Sequence, residues 1–228
     1  MRLLTTFTVA FTITLTACGG GGGGSSDPVS SVNTFDIHSA LARLAASGYS
    51  KMLTVSGTCT GSFSVTHGPA TSTTTFEGTN AISGSSVTTL NLSNCTPATN
   101  VATTTRYFDS NYRPLGYAIM GGDYGVWAAT PVLPTAAKVG DVAVVGTINK
   151  FANSTKATSS GKQEFSYVIE ADTTGAAIAN PISKSYNASN VLTATEQDRY
   201  RVSTDGSMSL ISIDIQNENG STTHLVMN

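Results

Sequence analysis

Ser209–Gln216, SLISIDIQ, passes through Asn217-Glu218-Asn219-Gly220 into Thr222–Met227, TTHLVM. Two β-branched runs joined across an Asn-Gly pair predict an antiparallel hairpin, because the tight hairpin turn needs positive φ at its central residues and Asn-Gly supplies it cheaply. Upstream the same grammar repeats. DVAVVGTINKF (Asp141–Phe151), QEFSYVIEA (Gln163–Ala171), PISKSYN (Pro181–Asn187) and DRYRVS (Asp198–Ser203) are separated by connectors holding Ser159-Ser160-Gly161, Thr173-Thr174-Gly175 and Asp205-Gly206. The second half therefore reads as a sequential meander. Strand-like runs in the first half are Lys51–Gly57, Ser62–His67, Thr71–Gly78, Ser86–Ser93 and Ala102–Asp109.

One helix stands before them. In Thr34–Gly48, Ile37, Leu41 and Leu44 recur at helical spacing, with Ala40 and Ala45 widening the face, Thr34 or Asp36 able to cap the start, and Gly48 suited to the C-terminal cap. The fold class expected is mainly β: a curved antiparallel meander, half-barrel or sandwich-like, with one short N-terminal helix. Between the halves, Gly121–Gly140 carries Pro131, Pro134 and small residues, marking a lobe boundary or a long crossing loop. The expected division is residues 34–128, helix plus disulfide-containing β region, and 129–228, the C-terminal meander, packed as one domain. Arg106–Leu115, RYFDSNYRPL, and Lys184–Thr193, KSYNASNVLT, echo each other faintly. Two hairpins with an aromatic at the strand end explain this better than a duplicated unit.

The formal charge of −2 on 228 residues is too mild for a nucleic-acid partner, which needs a clustered basic face. Charged residues make up only 11%, so hydroxyls solvate the surface. Spanning barrels need an apolar outward band and aromatic girdles, and strands in which Ser and Thr alternate do not supply them.

Residues 1–17, MRLLTTFTVAFTITLTA, have the charge, length and small-residue ending of a secretory signal, and are too short and too polar to remain as a spanning helix. Leu15-Thr16-Ala17-Cys18 resembles the lipobox of bacterial lipoproteins. The resemblance covers about the first 25 residues and leaves the mature fold open. It implies cleavage before Cys18, acylation of its sulfur, and membrane attachment through that lipid, with two or three chains where one would bind weakly. Gly19 follows Cys18 where enterobacterial inner-membrane lipoproteins carry aspartate, so the implied address is the outer membrane, facing the periplasm. The plain alternative is an ordinary signal peptide with a free mature Cys18. Residues 18–33, opening with Gly19–Gly24, read as a flexible tether. With Cys18 lipidated, Cys59 and Cys95 remain as a pair for an oxidising compartment; two separate thiols are the alternative.

Local chemistry is sparse. Gly57-Thr58-Cys59-Thr60-Gly61 imitates a nucleophile elbow, but a strand follows where a helix is required. Ser159-Ser160-Gly161-Lys162 has S-x-x-K spacing in a segment read as a loop. Asp214, Gln216, Glu218 and Gly220 are spaced like part of a calcium loop without its remaining ligands. His38, His67 and His224 share no metal-site spacing, and no metal or other cofactor is expected. Tyr107, Tyr112, Tyr117, Tyr124 and Trp127, with Phe108, form a dense aromatic stretch. It reads as the core of a central hairpin, with a binding surface as the sharper alternative. The functional expectation is a non-enzymatic binding or envelope-interaction module for an apolar ligand or an envelope protein. The alternative is a hydrolase of envelope polymers or glycans whose site is assembled from scattered residues.

Overall fold

The computed structural model describes residues 28–96 and 98–226. Helix α1 is Ile37–Ser47. The strands are β1 Tyr49–Gly57, β2 Gly61–His67, β3 Ser72–Phe76, β4 Thr79–Leu92, β5 Thr99–Phe108, β6 Pro114–Ile119, β7 Tyr124–Trp127, β8 Val142–Phe151, β9 Ser159–Thr173, β10 Ala176–Tyr186, β11 Leu192–Ser203, β12 Met208–Asn217 and β13 Thr222–Val226. From β4 to β13 each strand pairs antiparallel with the next, and from β8 onward this is the meander that the turn residues predicted.

The sheet closes on itself, which corrects the half-barrel or sandwich-like expectation. β13 pairs with β1 (Val55↔Leu225), β1 with β2 (Tyr49↔His67), and β2 with β4 (Val65↔Thr88). Twelve strands thus form a closed antiparallel barrel, with β3 as a thirteenth added to the first half of β4. Closure removes the two unpaired edges that a half-barrel would expose. It depends on the 14-residue β4, which gives its second half to β2, its first half to β3 and most of its other edge to β5.

The β3–β4 hairpin folds back on the outer wall. Phe76 stacks on Tyr107 at 4.3 Å and lies 5.4 Å from the Tyr124 ring. Glu77 accepts from the Tyr124 hydroxyl at 2.7 Å and pairs with Lys156. Gly116 makes the seat, since a Cβ there would stand 2.5 Å from the Phe76 ring.

Inside, Leu53, Val55, Val65, Leu210 and Leu225 form a dry core joined by Phe63, Leu90, Leu92, Ile213 and Ile215. The opposite barrel end is stoppered by α1. Asp36 caps it by accepting from the Ser39 N–H at 2.9 Å, and Gly48, at φ +70°, turns the chain into β1. Phe35, Ile37 and Ala40 pack on Ala137, Ile169, Ala177, Ala179 and Val202. The segment expected as a boundary or crossing loop contains β7. The remaining loop, 128–141, lies across the α1 end, held by the Phe35–Ala137 bridge and by the His38 N–H on the Pro134 carbonyl. The sheet continues across the 128/129 division through the β7–β8 pairing.

Residues 18–33 are not tether throughout. The expected signal peptide, Cys18 and the glycine tract lie outside the described residues, but the Val29 N–H donates to the Asp172 carbonyl at 3.0 Å. Buried Ser31 donates to the Thr174 carbonyl at 2.8 Å. Ser159–Lys162, read as a loop, opens β9, because Gly161 accommodates φ +124° against the Tyr186 carbonyl. The echoed segments share one turn. Asp109 and Asn187 each accept two backbone N–H groups two and four residues on, with Tyr112 and Asn190 at φ near +60°.

Candidate functional site

Between α1 and the barrel interior lies a cavity of about 250 Å³. Its apolar wall includes Leu41 and Leu44 of α1, Phe108, Trp127 and Phe165, with Leu133 and Pro134 from the overlying loop. Trp127 and Phe165 meet at 5.1 Å between ring centroids. Trp127 also lies over Gly146, where a Cβ would touch its ring at 3.1 Å, and positive φ accompanies the β8 bulge.

The polar wall is formed by Tyr49, His67, Arg106 and Tyr200. Their positions follow from strand alternation, which sends every second side chain inward. The Tyr49 and His67 rings stack at 4.5 Å. Burial, reinforced by the nearby Arg106 charge, pushes the His67 imidazole down to about 4, so it is neutral at physiological pH. Its Nδ1 is buried without a partner among the described residues. Arg106 donates from Nη2 to the Gly68 carbonyl at 3.1 Å and to the Ser85 carbonyl at 3.5 Å, while its buried Nε has no partner among the described residues. No carboxylate among the described residues forms an ion pair with it. Burial lowers the pKa of the guanidinium, partly offset by the Tyr49 and Tyr200 hydroxyls.

Tyr200 leads from this wall to an acidic pair on the same strand. Asp198 and Glu196 alternate with Tyr200 on the inward face of β11, where their register partners include Ile213 and Ile215 of the core. Burial pushes the Asp198 carboxyl well above the usual range, and the adjacent Glu196 pushes it the same way. Glu196 is raised too, by burial. Asp198 Oδ1 is buried and unpartnered. Neither carboxyl lines the 250 Å³ cavity.

The five expected surface aromatics are divided between the two faces of the wall. Tyr107 and Tyr124 lie outside under Phe76, and Tyr117 faces inward toward Gln163 with its hydroxyl raised to about 12 by burial and by Asp123. Only Tyr112 and Trp127 reach the cavity. Cys59 and Cys95 are bonded at the far end, with Cα atoms 5.7 Å apart, joining the β1–β2 and β4–β5 turns. Of the histidines, His38 meets the Asn111 carbonyl, His224 pairs with Asp214 on the outer wall, and His67 lines the cavity. No group of three or more His, Cys, Asp or Glu among the described residues is placed to hold a metal ion.

His67, Arg106, Glu196 and Asp198 were not singled out from sequence as site residues. Thr195–Arg201, TEQDRYR, is polar at nearly every position, so its inward phase (Glu196, Asp198, Tyr200) cannot be told from its outward one (Gln197, Arg199, Arg201) without the partner strand. No protein-family model matches the chain, and neither a curated protein nor a solved structure matches it significantly.

Proposed function

We propose that this chain is a lipid-anchored bacterial envelope protein, held to the outer membrane through Cys18 and facing the periplasm. Its barrel is a non-enzymatic module that holds a small apolar ligand beneath α1. The observation that carries the reading is the 250 Å³ cavity walled by Leu41, Leu44, Phe108, Trp127 and Phe165, since small-molecule sites are concave and mostly apolar with a few placed polar groups. The outward wall supports a barrel surrounded by water: it carries Ser50, Thr54, Ser64 and Thr66, and the Arg199–Glu170 and Arg199–Asp214 ion pairs, where a spanning barrel has its apolar band. Native mass spectrometry of the protein extracted from the envelope tests the reading. A retained small molecule, released on unfolding, is the expected result. A clean apo mass, together with no response of Trp127 to any apolar probe, overturns it.

A second reading, hydrolysis of envelope polymers or glycans, is favoured by one observation, the Glu196–Asp198 pair with its raised carboxyl pKa values. Two such groups in contact share a proton as an acid dyad does. They stand outside the cavity lining, which places this reading second. Turnover of envelope glycans that disappears in Asp198→Asn would promote it.

A further inference from the structure

From the unpaired guanidinium at the cavity wall, we infer that the ligand is an apolar monocarboxylic acid, its tail against Leu41, Leu44, Phe108 and Trp127 and its carboxylate on Arg106. The inference rests on the ligand-binding reading and names the ligand's chemical class.

Arg106 is a cation facing an apolar chamber. Its guanidinium carbon lies over the Phe108 ring, 5.5 Å from the centroid, and Nη2 meets two backbone carbonyls. A half-buried charge held this way, with no carboxylate among the described residues in ion-pair distance and with its buried Nε–H unsatisfied by them, keeps a cost that an anion would reduce. A carboxylate suits it because one oxygen can take the free Nε–H while the other replaces the long 3.5 Å contact of Nη2 with the Ser85 carbonyl, completing a parallel fork. Tyr49 and the unpartnered Nδ1 of neutral His67 stand on the same wall.

The charge count favours one negative charge rather than two. Among the described residues Arg106 is the one cationic side chain lining the cavity. A doubly charged phosphate would need another cation. The volume is that of on the order of eight waters in bulk, so a short or medium chain fits.

Trp127, the only tryptophan of the chain, lines this cavity and reports on it directly. The full chain, purified without detergent, is titrated with octanoate and, separately, with 1-octanol while tryptophan fluorescence is followed. Octanoate is expected to bind at least tenfold more tightly than 1-octanol. Arg106→Gln is expected to bring octanoate down to the level of 1-octanol, and retained 1-octanol binding by the variant shows that its cavity is intact. Should that variant fail to fold, Arg106→Lys keeps the charge but loses the fork, and an intermediate preference is expected. Equal binding of the two probes to the wild-type chain overturns the carboxylate inference while leaving the cavity as a ligand site. Absence of binding by both overturns the ligand-binding reading itself.

Discussion

Tyr49 and His67 are direct register partners across β1 and β2, and their rings stack at 4.5 Å with planes 17° apart. The stack holds the imidazole in the barrel wall, where burial and Arg106 push it from its ordinary 6.5 to about 4. Between those values the unfolded chain binds a proton that the native chain excludes. The contribution is therefore complete above pH 6.5 and is lost as pH falls toward 4. His67→Phe keeps a ring on Tyr49 and removes the proton site. The melting temperature of the variant relative to wild type is expected to improve steadily from pH 7 to pH 4; a constant difference would mean that His67 is not held neutral by the fold.

Asp198 tilts stability the other way. Its carboxyl is raised by burial and by Glu196, so the native chain holds a proton that the unfolded chain has released. That stability is complete below the ordinary carboxylate pKa near 3.8 and is lost as pH rises through the elevated native value. Asp198→Asn keeps the shape without the charge. It is expected to be more stable than wild type by about 1–3 kcal/mol at pH 8, with the gain shrinking toward pH 4 in denaturant unfolding. A gain of equal size at both pH values would remove the charge argument.

Gly116 has no room for a methyl group. A Cβ there would stand 2.2 Å from the Gly125 carbonyl oxygen and 2.5 Å from Phe76. Gly116→Ala is therefore expected to cost about 1–3 kcal/mol by forcing apart the β6–β7 pair and the docked β3–β4 hairpin. Gly175→Ala, where a Cβ meets nothing within 4 Å, is the control and should change stability by less than about 0.5 kcal/mol. Thermal unfolding of the two variants side by side checks this.

Local chemistry in the sequence reached as far as strands and turns. Asn219-Gly220 and Asp205-Gly206 marked real hairpins, and Ile37, Leu41 and Leu44 marked α1, because each signal is carried by residues close in the chain. Closure was not legible. It depends on β2 meeting β4 over β3, and SVTTLNLS shows only the second half of a strand whose first half, Thr79–Ser85, is polar and interrupted by Gly84. The short β6 and β7 were obscured by the glycines that make room for Phe76 and the Tyr117 ring. The cavity was half legible: Trp127 and Tyr112 were picked out as aromatics, whereas Arg106 and His67 acquire meaning only when β2 and β5 are placed on either side of β4 and turned inward.

Cys59 and Cys95 tie the β1–β2 turn to the β4–β5 turn at the end of the β2–β4 seam, which together with the β13–β1 pairing converts a meander into a barrel. A sequence separation of 36 residues corresponds, by loop-closure entropy, to about 4 kcal/mol taken from the unfolded state. Its location adds a second effect. Without the bond, the unfolded chain regains entropy and the seam is left to its backbone pairs, to the packing of Phe63 and Val65 in the core, and to the turn contact in which the Asn94 side-chain Oδ1 accepts from the Thr60 N–H at 2.7 Å. Cys59→Ser with Cys95→Ser is expected to lower unfolding free energy by about 2–4 kcal/mol. Amide exchange should rise first along Gly61–His67 and Ser86–Leu92, while β9–β11 keep their protection. Uniform loss of protection around the barrel would show that the bond stabilises the chain as a whole and not the seam.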